Sequence, residues 1–381
     1  MRVGFDVTAL LRARTGVGVF THTVLGGLCS RDDVDLAAYA ATWRGRREAG
    51  AVVPAGSHLT RRPMAAQPLR RAWMRFDHPV IERWIGPVDV VHGPNFVVPP
   101  TRRAAEVVTV HDLTCVRFAE LCTADVLQYP SLIRRAVDRG AWVHALSRFV
   151  ADEVIEHFGV AAERVVVVHG APSLPSDGPG TDADAGRALA GSHRYVLALG
   201  TVEPRKDTPA LVRAFDAIAD DHPDVALVVA GPDGWGVDAF TAAVATARHQ
   251  SRILRLGWVD DASRAALLRG ATVFAYPSRY EGFGLPPLEA MAAGLPVLAT
   301  AAGALPEVIG DAGLLVAPGD ADALADGLGR LLSDDHQRAS LIEAGLANVS
   351  RFSWDRTVTE LVQLYRTAAA AGPRSARRVR L

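Results

Sequence analysis

The chain has 381 residues and a formal net charge of −1, with 49% hydrophobic and 22% charged residues. That length suits two domains, and the balanced charge gives no global pull toward nucleic acid or an anionic surface. Three cysteines (Cys29, Cys115, Cys122) in no metal-ligand spacing fit a reduced, cytoplasmic setting, and no apolar stretch is long enough for a membrane span.

One bias stands out. Of 41 basic residues, 40 are Arg and one is Lys, Lys206. Arg in such excess reads as genome composition, so the single Lys marks either a position that needs an ammonium or chance.

Taken in order, short apolar runs alternate with amphipathic segments, the pattern of parallel α/β architecture. The N-terminal RVGFDVTALLRARTG reads as a strand and loop, not a leader. Strands are predicted at 2–9, 34–40, 88–93, 106–112, 141–147 and 164–170. A second set is predicted at 195–202, 226–232, 252–259, 271–278, 296–300 and 314–318. Their continuous apolar character predicts cover on both faces. Between the sets, residues 171–194 are rich in Pro, Gly, Ser and Asp and read as an interdomain linker. The expected organisation is two doubly wound Rossmann-like domains, 1–170 and 195–352, facing a central cleft. A helix over 353–372 and a disordered basic tail over 373–381 follow. Residues 1–170 carry 21 Arg against 17 acids, whereas 171–372 carry 16 bases against 25 acids.

The segment YPSRYEGFGLPPLEAMAAGLPVLAT (276–300) carries most of the chemistry. With 13 Glu in the chain, a Glu pair at this spacing is a weak signal by itself, and its setting supplies the meaning. A strand leads through a Gly-containing turn into a helix opening at Pro286–Pro287, with amides around Gly284–Leu288 available to an anion. Glu281 is expected before that helix and Glu289 in its first turn, both as acceptors for sugar hydroxyls. A second segment, LALGTVEPRKDTPALVRAF (197–215), leaves a strand and displays Arg205 and Lys206, two cations suited to a diphosphate. No Asp-x-Asp pair competes as a metal site: Asp33/Asp35 precede a strand, Asp182/Asp184 fall in the linker, and Asp320/Asp322 start a helix.

GTVEPRKD, SRYEGFGLPPLEAMAAGLPVLAT and AAGALPEVIGDAGLLVAPGD (301–320) strongly resemble the retaining glycosyltransferases of family four, which have the two-Rossmann GT-B fold. In the first half, RTGVGVFTHTVL (14–25), VHGPNF (91–96), TVHDLTCVRFAEL (109–121) and SRFVADEVIEHFGV (147–160) are similar to its bacterial mannosyltransferase-like branch. HGAPSLP (169–175) departs from the family's usual Asn-Gly or Pro-Gly turn. The resemblance implies a metal-independent hexosyltransferase with a nucleotide-diphosphate sugar as donor substrate and no prosthetic group. GDP-mannose is the first expectation for the donor, with UDP- or TDP-sugars as alternatives, and a lipid-linked or glycan acceptor. By the same resemblance Glu281 would contact the donor sugar and Glu289 the ribose. Arg205 and Lys206 would hold the diphosphate, and His111 would contact the transferred sugar. Gly16 and Gly18, in the loop after the first strand, would line the donor phosphate and acceptor side of the cleft, and the backbone of Gly282, Phe283, Gly284 and Leu285 is expected at the donor. The segment 352–369 would be a helix returning to the first domain.

Other readings stand beside these. A silent sugar-nucleotide-binding protein would share the fold, whereas a dinucleotide oxidoreductase needs a complete G-x-G-x-x-G unit that the TGVG loop does not supply. His111 could be a core histidine, and His92 and the cysteines read as structural. Residues 43–83 hold nine Arg (44, 46, 47, 61, 62, 70, 71, 75, 83) with Trp73, Phe76 and Trp84 interleaved. That face either docks on anionic lipid heads or is a solvated basic surface.

Overall fold

The computed structural model describes residues 1–11, 16–43, 45–54, 58–60, 62–173 and 181–372. The chain divides into two compact units, Met1–Gly170 together with the segment from Ser353, and Ala171–Phe352.

The first unit holds a seven-stranded sheet. Its strands are β1 (Arg2–Asp6), β2 (Asp35–Tyr39), β3 (His58–Leu59), β4 (Val90–Gly93), β5 (Ala105–Val110), β6 (Trp142–Ala145) and β7 (Val165–Val167). They are parallel and lie in the order β3-β2-β1-β4-β5-β6-β7. The second unit holds β8 (Arg194–Leu199), β9 (Val225–Ala230), β10 (Ile253–Gly257), β11 (Val273–Tyr276), β12 (Val297–Thr300) and β13 (Leu314–Val316). These are parallel in the order β10-β9-β8-β11-β12-β13. Every residue of β4, β5, β6, β11 and β12 is buried, as strands covered on both faces require. In each sheet the strand order reverses beside the first strand, between β1 and β4 and between β8 and β11. Ligands of such sheets bind outside the carboxyl ends at that point.

The helices that matter here are α1 (Gly16–Cys29), α2 (Ala66–Trp73), α3 (Ala183–Ala190), α4 (Thr208–Ile218), α5 (Asp261–Gly270), α6 (Leu285–Ala292) and α7 (Trp354–Ala371). The last is capped by Ser353 and buries Val358, Leu361, Val362, Leu364, Tyr365 and Ala368, one stripe at helical spacing. It packs on α1 within the first unit, and the Thr357 hydroxyl donates to the His169 carbonyl at 2.6 Å.

All twelve predicted apolar runs are strands. β3 is a thirteenth, a two-residue edge strand with no apolar run to announce it. The segment 171–194 departs from the linker expectation: 183–190 is helix α3, packed on α5. Its Ala-rich sequence favours a helix, and the Asp182 carboxylate accepts the Ala185 N–H at 2.8 Å as its cap. The other part of that segment, 174–180, and the basic tail lie outside the described residues.

Candidate active site

The peptide leaving β8 forms a one-turn helix over Pro204–Lys206, then places Asp207 in the left-handed region at φ 45°. A side chain there is strained, and something must hold it. Arg279, just after β11, does so twice. Its N–H donates to the Arg205 carbonyl at 2.8 Å and its Nε donates to the Asp207 carboxylate at 2.8 Å. The two loops flanking the switch point are thereby stitched together.

The stitching brings Arg205, Lys206 and Glu281 into one buried cluster. Glu281 Oε2 lies 2.9 Å from Arg205 Nη1, and Oε1 lies 2.5 Å from Lys206 Nζ. Arg205 also donates to the Tyr280 carbonyl at 2.8 Å and pairs with Glu203 at 2.6 Å. The Lys206 ammonium donates to the Tyr276 hydroxyl and sits 4.5 Å from the centre of that ring. Burial alone would push the Glu281 carboxyl up, but Arg205 and Lys206 outweigh it and hold it at about 2. Burial also pulls the Lys206 ammonium below its ordinary value, with Glu281 opposing. The cluster therefore presents two ionised cations in a water-poor pocket, where fixed charges act on a developing anion most strongly. Glu203 and Tyr276 are members that the sequence reading missed. Glu203 was legible as part of the turn motif. Tyr276 looked like any inward strand residue.

Gly284 opens α6 at φ 109°, a conformation open to glycine, and Glu281 is approached so closely from behind that a Cβ on Gly303 would lie 2.2 Å from its carbonyl oxygen. Pro286 and Pro287 have no N–H, so the Gly284, Leu285 and Leu288 amides are what this helix end offers an anion. The Phe283 ring is buried edge-on against Phe352, with centroids 5.8 Å apart, so the ring serves the packing. Gly282 is buried beside it. Glu289 is the fifth residue of α6 and so begins its second turn, because the helix starts at Leu285 ahead of the two prolines. Its carboxylate is buried and paired with Arg264 of α5, a partner the sequence reading did not identify.

In the first unit, His111 follows β5 and donates Nε2–H to the Pro94 carbonyl at 2.7 Å. Phe20 and Phe96 meet its ring edge-on at centroid distances of 5.5 Å each. Burial lowers its pKa, so the ring is neutral with Nδ1 as an acceptor. Phe96 holds this turn at φ 60°, a second strained side chain. Gly16 and Gly18 were expected in the loop after β1, but they lie in the first turn of α1. The buried stripe Phe20, Thr21, Val24, Leu25 and Leu28 fixes a helical period that extends back to Gly16. Arg14 and Thr15 of that motif lie outside the described residues.

His92 is a core residue. The His144 Nε2–H donates to the Val168 carbonyl at 2.9 Å, which leaves Nδ1 to accept from the Thr109 hydroxyl at 2.9 Å. Thr109 in turn accepts from His92 Nε2 at 2.7 Å, and His92 Nδ1 accepts from the Tyr365 hydroxyl at 2.6 Å. One directed chain of hydrogen bonds thus ties α7 to β4, β5 and β6.

The Arg-rich segment is less uniform than it reads. Trp73 is buried and donates to the Pro79 carbonyl at 3.0 Å, and Trp84 donates to the Pro63 carbonyl at 3.1 Å. Both serve the fold: Trp73 belongs to the apolar core of the first unit and Trp84 packs against that core. Phe76 is 62% exposed, and Arg71 and Arg75 are exposed with it. Arg44 and Arg61 lie outside the described residues. Asp182 and Asp320 each cap a helix, which accounts for those two Asp-x-Asp pairs.

The chain matches two family models, one described as Glycosyltransferase Family 4 over residues 14–171 and one as Glycosyl transferases group 1 over 182–347. It is 32% identical over 307 residues to the O-antigen chain mannosyltransferase B of Escherichia coli, across 78% of this chain and 77% of that protein. It is 35% identical over 295 residues to the D-inositol 3-phosphate glycosyltransferase of Salinispora arenicola, across 70% of this chain and 64% of the relative. Among solved structures it resembles sucrose-phosphate synthase from Thermosynechococcus elongatus, with TM-score 0.74 and 19% identity over 97% of this chain and 99% of that one. It also resembles Anabaena HepE in complex with UDP and glucose, with TM-score 0.73 and 18% identity over 96% and 100%. At those identities the structural likeness speaks for the fold.

Proposed function

This chain belongs to glycosyltransferase family 4 and is a retaining hexosyltransferase with a nucleotide-sugar donor, and on that premise we propose that Arg205, Lys206, Glu281 and Glu289 form its donor site. The observation that carries the proposal is the buried pairing of one carboxylate, Glu281, with both cations at the carboxyl edge of β8 and β11. As the bond from the anomeric carbon to the diphosphate lengthens, negative charge moves onto the diphosphate, and Arg205 and Lys206 receive it. Two preset cations fill the charge-neutralising role, so we read the reaction as metal-independent. The Glu281 carboxylate accepts from donor-sugar hydroxyls and Glu289 from the ribose. The amides of Gly282, Phe283, Gly284 and Leu285 and of the first turn of α1, at Gly16 and Gly18, add to the phosphate contacts. The neutral His111 ring offers Nδ1 to a hydroxyl of the transferred sugar. We read retention as same-face attack, with the leaving phosphate taking the acceptor's proton.

We read the donor as GDP-mannose and the acceptor as a lipid-linked or glycan hydroxyl of the cell envelope, supported by the mannosyltransferase relative. Among the described residues no helix is long and apolar enough to cross a membrane. We place the enzyme in the cytoplasm, with Arg71, Arg75 and Phe76 as its contact with an anionic bilayer. Donor turnover measured across GDP-mannose, GDP-glucose, UDP-glucose and TDP-glucose tests the donor. Fastest turnover of GDP-mannose is expected, and preference for a UDP- or TDP-sugar overturns that assignment.

A further inference from the structure

Arg264 lies at the end of the first turn of α5, just ahead of the buried run Ala265 to Leu268. Its guanidinium spans two partners within the second unit. Nη1 pairs with Glu289 Oε2, and Nη2 donates to the Ser173 carbonyl at 3.0 Å. The nearest competing acid is Asp261, 3.4 Å away and largely exposed. A guanidinium is a planar fork, so two fixed acceptors leave it one orientation, and the carboxylate it holds is fixed in turn. Glu289 is itself 6% exposed, and burial pushes its carboxyl up, with Arg264 and the Ser173 backbone opposing.

A carboxylate has about four lone-pair sites. With one site engaged by Arg264 and another by the Ser173 backbone N–H, the remaining sites are acceptors in a defined direction. A buried charged acceptor rejects a ligand that lacks the matching hydroxyl, because the acceptor is then left unpaired. Without its cation, burial draws Glu289 toward the protonated form, a weaker acceptor. We propose that Arg264 is a positioning residue that fixes the Glu289 carboxylate as an acceptor and thereby sets the preference for ribonucleotides over 2′-deoxyribonucleotides. The inference rests on the reading of Glu289 as the ribose contact.

Calorimetric titration of the full chain with GDP and UDP identifies the tighter nucleotide, which is then compared with its 2′-deoxy form. Wild type is expected to favour the ribonucleotide by about 10- to 100-fold, the worth of a hydrogen bond to a charged group. Arg264→Ala is expected to shrink that ratio below about threefold while binding of the deoxy form changes little, and Arg264→Lys to restore part of it. If Arg264→Ala does not stay folded by circular dichroism, Arg264→Gln is expected to give the same collapse, since it keeps length but not charge. A purely structural role predicts equal loss for both nucleotides, and that result, or an unchanged ratio, overturns the inference. Glu289→Ala separates the two claims. A collapsed ratio there with an intact one in Arg264→Ala defeats the role of Arg264 alone. An intact ratio in Glu289→Ala defeats the ribose reading and the inference with it.

Discussion

Glu281 Oε1 lies 2.5 Å from the ammonium of Lys206, the only lysine in the chain. The same carboxylate also holds Arg205, so one anion orients both cations. Removing one partner of such a buried set leaves an uncompensated charge, which is far more costly than losing a surface pair.

Tyr276→Phe tests how the ammonium is held. The phenol oxygen accepts from Lys206 and favours its charged form. Burial already lowers the lysine pKa, so losing this acceptor lowers it further. The alkaline limb of the pH–rate profile is therefore expected to move to lower pH, with kcat down about tenfold for one lost hydrogen bond to a charged group. An unchanged limb would show that the tyrosine only fills space.

The acid dependence of stability follows from two sets of groups. Glu281 has a folded pKa of about 2 against an ordinary 4.5, so its stabilisation is complete above 4.5 and lost as pH falls toward 2. Urea unfolding of wild type and Glu281→Gln should differ at neutral pH and converge on acidification through that window. Burial also lowers His92, His111 and His144, the last to about 3, against an ordinary 6.5. Below 6.5 the unfolded chain takes up protons that the folded one refuses, so stability should begin to fall there in both proteins. A flat profile between 6.5 and 4.5 would contradict the buried neutral histidines.

Tyr365→Phe removes the first donor of the relay through His92, Thr109 and His144 and leaves a buried imidazole nitrogen without it. We expect a loss of about 1–3 kcal/mol in unfolding free energy with kcat little changed. A normal denaturation midpoint would mean that α7 is held by apolar packing alone.

Much of this was legible in the sequence because parallel strands covered on both faces are written as continuous apolar runs. β3 was not, since two residues at a sheet edge need no such run. Helix α3 hid inside a Pro- and Gly-rich stretch whose average composition masks an eight-residue helix with four Ala, a Leu and an Arg behind Asp182. Within the site, Arg205, Lys206, Glu281 and Glu289 stand in contiguous motifs. Arg264 does not. It reaches the site from α5 through tertiary packing, and in a chain with 40 Arg a single arginine carries no local signal; Tyr276 opens the 276–300 segment but reads as an ordinary inward residue of β11. Trp73 erred the other way: an aromatic among arginines looked like surface, yet α2 turns it inward.

Vesicle co-sedimentation tests the basic face. Wild type is expected to bind vesicles containing phosphatidylglycerol at low salt and to release them as salt rises, since exposed charges are screened. A Phe76→Ser, Arg71→Ser, Arg75→Ser variant should bind markedly less. Equal binding by both proteins would place the contact elsewhere.

The most direct test of the donor site is turnover of the nucleotide sugar by Lys206→Ala at saturating donor, with circular dichroism confirming an intact fold. Loss of one preorganised charge at a departing diphosphate should lower kcat by about 10²–10³-fold. A kcat within about threefold of wild type would contradict the assignment of the Glu281–Arg205–Lys206 cluster to the leaving group.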